Sequence, residues 1–293
     1  MGTVHHRYAT VDGHTLFYRE AGPADAPVFL LLHGFPTSSH MFRDLIPLLA
    51  DRYHVIAPDH LGFGFSDAPS AAEFTYTFDA LTDLTEGLLA HLGVTRYAVY
   101  VQDYGAPIGW RLALRDPAAV TAIVSQSGNG YDAGFDEEFW RPIRAFWQDW
   151  NPVTEAGVRG ALSLEATRWQ YVHGVPDESV VSPDTWHHDH ALLSRPGNDE
   201  IQVALFRDYA TNSPLYPRLH DHLRESRVPV LAVWGRGDEI FVPAGAEAFA
   251  QDAHDPEIHL LDGGHFLLET ALTEVAALIG DFLDRRLAVR AAA

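Results

Sequence analysis

The chain contains no cysteine, which excludes disulfides, a thiolate nucleophile and any zinc site built on Cys ligands. Its absence is compatible with a cytoplasmic location, which is the expectation adopted. Residues 1–20 mix His, Asp, Thr and Arg without the apolar run of a secretory signal. No stretch approaches the ~20 apolar residues of a spanning helix, so no membrane span is predicted. Positive charge is also scarce: 20 basic against 40 acidic residues leave a formal charge of -20. Such a field repels phosphate backbones and anionic lipid, so neither nucleic acid nor membrane is expected as a partner. What is present is an ordinary globular composition, 47% apolar and 20% charged over 293 residues. That length suits one large core with an insertion, or two small domains.

Apolar runs predict strands at Val28–Leu32, Tyr53–Ala57, Tyr97–Val101 and Val120–Ser125. Helical stretches fall at Thr77–Leu92, which Gly93 terminates, and at Gly105–Arg115. From Gly128 to Pro217 the βαβ rhythm stops and aromatics crowd in, among them Phe135, Trp140, Trp147, Trp150, Trp169 and Trp186. Strands at Val228–Trp234 and Glu257–Leu261 and helices at Ala244–Ala250 and Thr270–Arg286 then resume the first pattern. The expected fold is therefore α/β: a mostly parallel central sheet with helices on both faces and an inserted helical cap. Residues 1–128 and 218–293 form the core domain and 129–217 the cap, set over the carboxyl edge of the sheet where open α/β folds place their ligands.

Asp103 stands between the strand Tyr97–Val101 and the helix that starts at Gly105. A residue there sits on a sharp turn at a helix N-terminus, and Gly105 permits the close backbone approach the turn needs. The segment has the form of a G-x-S-x-G nucleophile elbow with Asp in place of Ser and Val101 in place of the first Gly. A carboxylate is a poor acyl-transfer nucleophile but displaces a leaving group from an sp³ carbon, forming an alkyl ester. That selects C–halogen or strained C–O bonds. The plainer reading of Asp103 is a helix N-cap. Two further placements favour the nucleophile. Asp238 follows the strand ending at Trp234, and His265 precedes the last helix, so nucleophile, acid and base stand in the chain order of the α/β-hydrolase triad. His265 is the expected base toward water, with Asp238 fixing its tautomer. The turn His33-Gly34-Phe35-Pro36, with a cis bond anticipated before Pro36, places the Phe35 amide beside that of Tyr104 as an oxyanion hole.

With those residues in hand, the chain resembles the α/β-hydrolase superfamily over nearly its whole length. Within it, the chain is similar to the aspartate-nucleophile branch of epoxide hydrolases and haloalkane dehalogenases. The His-Gly-Phe-Pro turn, Asp59-His60-Leu61-Gly62-Phe63-Gly64-Phe65-Ser66-Asp67, the Asp103 elbow, the Gly-x-Gly before Asp238 and Gly-Gly-His265-Phe carry the likeness. Haloalkane dehalogenases characteristically place Trp after the nucleophile and Asn in the turn, where this chain has Tyr104 and Phe35. Epoxide hydrolases commonly have Phe or Trp in the turn and use cap tyrosines to protonate the opening oxygen. The resemblance therefore implies Tyr209 as one such donor and Tyr171 as the other, with His33, Pro36, Trp169 and Phe266 lining the substrate pocket. Other features point the opposite way: Val101-Gln102-Asp103 is closer to some dehalogenases, and the Tyr209 position also matches fluoroacetate dehalogenases.

The glycine-rich Gly62–Asp67 stretch lacks the last Gly of a phosphate loop, and His187 and His190 have no third ligand at suitable spacing, so neither nucleotide nor metal is expected. The reading is a hydrolase that opens an epoxide to a vicinal diol through an ester on Asp103, without a cofactor. A haloalkane or haloacid dehalogenase by the same route is the alternative, and a non-catalytic small-molecule binder on the same fold is a second. The partners expected are an organic substrate and water, in a monomer or homodimer.

Overall fold

The computed structural model describes residues 2–291. Eight strands form one sheet in the order β1-β2-β4-β3-β5-β6-β7-β8. They are β1 His5–Val11, β2 His14–Ala21, β3 Val28–Leu32, β4 His54–Pro58, β5 Tyr97–Gln102, β6 Val120–Gln126, β7 Val230–Gly235 and β8 Glu257–Leu261. The pairs β1·β2 and β2·β4 are antiparallel and every other pair is parallel. The fold class therefore agrees with the expectation. The first two strands were not foreseen. Asp12-Gly13, with φ of 48° and 84°, makes the tight turn between them, and an Asp-Gly pair between β-rich segments is the signal that marks such a hairpin.

Side chains alternate across the sheet with the two-residue period of a strand, and both faces are covered. Leu30, Leu32, Val99, Val101, Ile123 and Trp234 pack on one side. Phe29, Leu31, Ala98, Tyr100, Val124 and Val233 pack on the other, against Val275, Ile279 and Phe282 of the closing helix. That helix runs from Leu272 to Ala291, later at both ends than expected. Every residue of β5 is buried, so this strand is a rigid base for whatever its carboxyl end carries. Each fully buried Val or Leu contributes about 1.5–3 kcal/mol.

Between β6 and β7 the named elements are all helical, the longer ones being Glu137–Gln148, Pro152–Arg159, Leu164–Val172, Pro183–Leu193, Asn198–Asp208 and Tyr216–Ser226. Side-chain caps start several of them: Asp136 accepts from the Phe139 amide, Asn151 forms a capping box with Thr154, and Ser163 accepts from Ala166. The helix Tyr216–Ser226 crosses residue 217, and its Leu219 and Leu223 join the same core as Trp110. One cap-to-core tie stands out for its position. Asp208 accepts from the Phe78 amide at 2.7 Å, at the start of the helix Phe78–His91.

Candidate active site

Asp103 follows β5 directly and takes a φ of 47°, a left-handed conformation that a residue with a side chain adopts only when its surroundings impose it. Gly105 makes the turn possible, because a Cβ there would lie 2.2 Å from the carbonyl oxygen of Leu32. The strained turn lifts the carboxylate off the end of the sheet, where it is only 6% exposed. The Phe35 amide donates to its Oδ1 at 2.7 Å, and the Tyr104 amide also favours its charged form. Burial raises the Asp103 carboxyl above the usual carboxylate range, while His265 and the two amides oppose that rise.

His265 Nδ1 donates to Asp238 Oδ2 at 3.0 Å, and its Nε2 lies 3.9 Å from Asp103 Oδ2. The other oxygen of Asp238 accepts from the amides of Ile240 and Phe241 at 2.9 and 3.1 Å, so both lone-pair faces of this buried carboxylate are engaged. Burial disfavours the imidazolium, but the charge and hydrogen bond of Asp238, with Asp103 behind, outweigh it and raise the His265 pKa. The His265 loop is held from below, where Gln126 donates to the His265 carbonyl at 2.8 Å and accepts from the Tyr100 hydroxyl at 2.6 Å. A bidentate pair between Arg43 and Glu269, at 3.0 and 2.8 Å, ties the segment after the Phe35-Pro36 turn to the segment after His265.

Phe35-Pro36 is cis. His33, expected in the pocket wall, is instead part of the scaffold. Its Nδ1 donates to the Gly34 carbonyl at 2.9 Å and its Nε2 accepts from the His60 amide at 3.0 Å, leaving no ring nitrogen free. Burial holds the imidazole well below its ordinary range, hence neutral. Pro36 lines a small cavity with Thr37, Asp189 and Gln202.

Above the elbow stands a wall of rings. Tyr104 lies 5.6 Å from Tyr209, 5.1 Å from Phe78 and 5.8 Å from Phe35, centroid to centroid. Trp140 and Trp147 back Tyr209 from the cap at 5.1 and 6.1 Å. The Tyr104 hydroxyl is buried without a hydrogen-bond partner, and the buried Tyr209 hydroxyl has the Tyr216 phenol beside it. Burial above all, then the phenol of Tyr216 and the charge of Asp103, pushes the Tyr209 hydroxyl up, so it keeps its proton at neutral pH.

Tyr171 is not part of this group. Its hydroxyl donates to Asp189 at 2.5 Å, and its ring stacks on Phe266 at 3.9 Å, so the proton assigned to a substrate is already committed to a buried carboxylate. Trp169 stacks on His173 and Phe139 at 4.4 and 5.8 Å, and Phe139 in turn meets Trp140 at 5.9 Å, so it stands one ring behind the wall. Phe266 meets the edge of His265 at 5.3 Å and separates the base from Tyr171. Gln102, which immediately precedes Asp103 and which the sequence reading does not place in the site, brings its Nε2 to 2.8 Å from Nε2 of His265. Among the described residues no group of three or more His, Asp or Glu side chains converges as a metal site, and no helix is long and apolar enough to cross a membrane.

Comparison with known proteins places this geometry. A family model described as alpha/beta hydrolase fold matches residues 27–272. An uncharacterized hydrolase of Saccharomyces cerevisiae is 44% identical over 92% of this chain and 94% of its own length. A haloalkane dehalogenase of Bradyrhizobium diazoefficiens is 38% identical over 50% of this chain and 42% of its own. Epoxide hydrolase 3 of Mus musculus is 26% identical over 93% and 74%. Among solved structures, the haloalkane dehalogenase DbeA from Bradyrhizobium elkani superposes with a TM-score of 0.77 at 26% identity, over 97% of this chain and 100% of that one. The chain belongs to the α/β-hydrolase fold family and has both haloalkane dehalogenases and epoxide hydrolases among its relatives.

Proposed function

We propose that the protein hydrolyses epoxides to vicinal diols through a covalent ester on Asp103. The observation that carries this reading is the pairing of a desolvated carboxylate, 3.9 Å from an imidazole, with a buried phenol, Tyr209, near enough to feel the charge of Asp103 and backed by the phenol of Tyr216. An oxygen of Asp103 attacks an epoxide carbon while the C–O bond breaks, and the Tyr209 hydroxyl gives its proton to the departing alkoxide. Water then loses a proton to Nε2 of His265, and its oxygen bonds to the ester carbon of residue 103. The amides of Phe35 and Tyr104 hold the developing oxyanion. The ester C–O bond breaks, the diol leaves with a proton returned from the base, the proton left on the residue 103 carboxyl passes back to the Tyr209 phenolate, and Asp238 supports the imidazolium in between.

The choice of leaving group follows from the donors. An alkoxide must be protonated as it forms, whereas a halide needs only hydrogen bonding, and the free groups beside Asp103 are phenols. Dehalogenation is the second reading, favoured by the dehalogenases among the relatives and by a Tyr104 phenol able to donate to a halide ion. Purified enzyme assayed against a terminal epoxide and a 1-haloalkane separates the two. Diol formation without halide release supports the proposal, and the reverse overturns it. If neither is turned over, tight ligand binding that survives Asp103→Asn identifies a binding protein.

A further inference from the structure

His265 lies between two carboxylates, and an imidazole so placed is drawn toward protonation. Asp238 holds its Nδ1 at 3.0 Å, and Asp103 stands 3.9 Å from its Nε2. Were Nε2 to take a proton, the imidazolium would pair with Asp103, and both the base and the nucleophile would be spent on each other. The other ring neighbours, Phe241 at 6.1 Å and Phe266 at 5.3 Å, carry no charge. One polar group opposes that outcome. The Gln102 side chain, wholly buried at the end of β5, brings its Nε2 to 2.8 Å from Nε2 of His265. An amide N–H can donate only to an unprotonated ring nitrogen, and the bond from Nδ1 to Asp238 already assigns the ring proton to the far side. The amide's other end, Oε1, has no partner and lies beside Gly34, where a Cβ would come within 2.5 Å of it.

We propose that Gln102 is a positioning residue that keeps Nε2 of His265 a free lone pair, so that the imidazole is available as a base instead of being locked in an ion pair with Asp103. A hydrogen bond made to the neutral form disfavours the charged form, which is the direction required. When the ester forms, Asp103 loses its charge, the pull toward the ion pair vanishes, and water takes the amide's place on Nε2. The base is then neutral at the stage that needs it. This extends the covalent mechanism proposed above and rests on it for its catalytic consequence, though not for its electrostatic one.

The test is an NMR titration of His265 in substrate-free protein, which needs no substrate and so stands or falls apart from the covalent reading. Gln102→Met removes the donor at similar volume, and Gln102→Glu replaces it with an acceptor of the same shape. The midpoint for His265 is expected to rise by about one pH unit in the first and further in the second. The acid limb of kcat/KM, which reads the substrate-free enzyme, should move upward with it by about one pH unit, about a tenfold loss at a fixed pH below the midpoint. An unchanged midpoint in folded variants overturns the proposal. A lowered one overturns it as well, because that is the sign of an amide turning its oxygen toward an imidazolium.

Discussion

Asp103 combines a left-handed backbone with a carboxylate removed from water, and the two features have one cause. The turn that strains the residue is the turn that lifts its side chain off the sheet and against the Phe35 amide. In the proposed mechanism its reactivity as a nucleophile follows from the loss of a hydration shell, replaced by two fixed amides. On the leaving-group side, Tyr209→Phe keeps the ring wall and removes only the proton donor. It should slow epoxide opening about 10²- to 10³-fold and leave any reaction with a haloalkane within a few-fold, which single-turnover rates on the two substrates would show. The base sets the pH dependence. Because Asp238, the larger of the two carboxylate influences, raises the His265 pKa whether or not Asp103 is charged, the neutral imidazole is present only above a midpoint displaced upward. Ester hydrolysis should therefore fall on the acid side of that midpoint, as a pH profile of kcat would record. Tyr171→Phe, by contrast, should leave the chemical step nearly unchanged, since that hydroxyl serves Asp189.

At the scale of elements, the site is three loop ends that follow β5, β7 and β8, with β6 lying between the first two in the same run of parallel strands. The elbow tolerates no side chain at residue 105, where the nearest neighbour is main-chain oxygen that cannot swing aside. Gly105→Ala should cost about 2–4 kcal/mol in urea unfolding and abolish turnover in whatever fraction still folds. The parts of the site that could be read from the sequence lie within short segments: His-Gly-Phe-Pro, Gln-Asp-Tyr-Gly, and the strand ends carrying Asp238 and His265. In each, the residue types required by the turn adjoin those required by the chemistry. Side-chain partnerships between segments were not readable. Tyr171 and Asp189 are 18 positions apart and meet only because two cap helices pack, and Gln102 meets His265 across 163 positions. The bond between His33 and His60 was hidden for the same reason, since His60 comes from the loop after the neighbouring strand. The β1–β2 hairpin was different. Its Asp-Gly signal was local, and the polar, exposed sequence of β1 hid the strand around it.

Across the whole molecule, the formal charge of -20 coexists with a cation set made entirely of arginine, whose planar fork suits paired contacts such as Arg43 with both oxygens of Glu269. One buried acid is exceptional. Asp189 in the cap helix Pro183–Leu193 is pushed by burial to about 7, while the Tyr171 hydroxyl partly offsets that rise. The folded protein thus holds this proton more tightly than the unfolded chain. Its contribution to stability should decline as pH rises from about 4 to about 7 and stay level above, by up to about 4 kcal/mol. Urea unfolding at about pH 5 and about pH 8 should show that decline, and Asp189→Asn should flatten it.

The covalent claim itself is tested most directly by mass spectrometry of His265→Gln after incubation with an epoxide that the unaltered enzyme converts. With the base gone, the peptide containing Asp103 should carry the mass of the opened epoxide and should lose it in Asp103→Asn. An unmodified peptide from a folded variant, with a substrate the parent enzyme turns over, would contradict the mechanism.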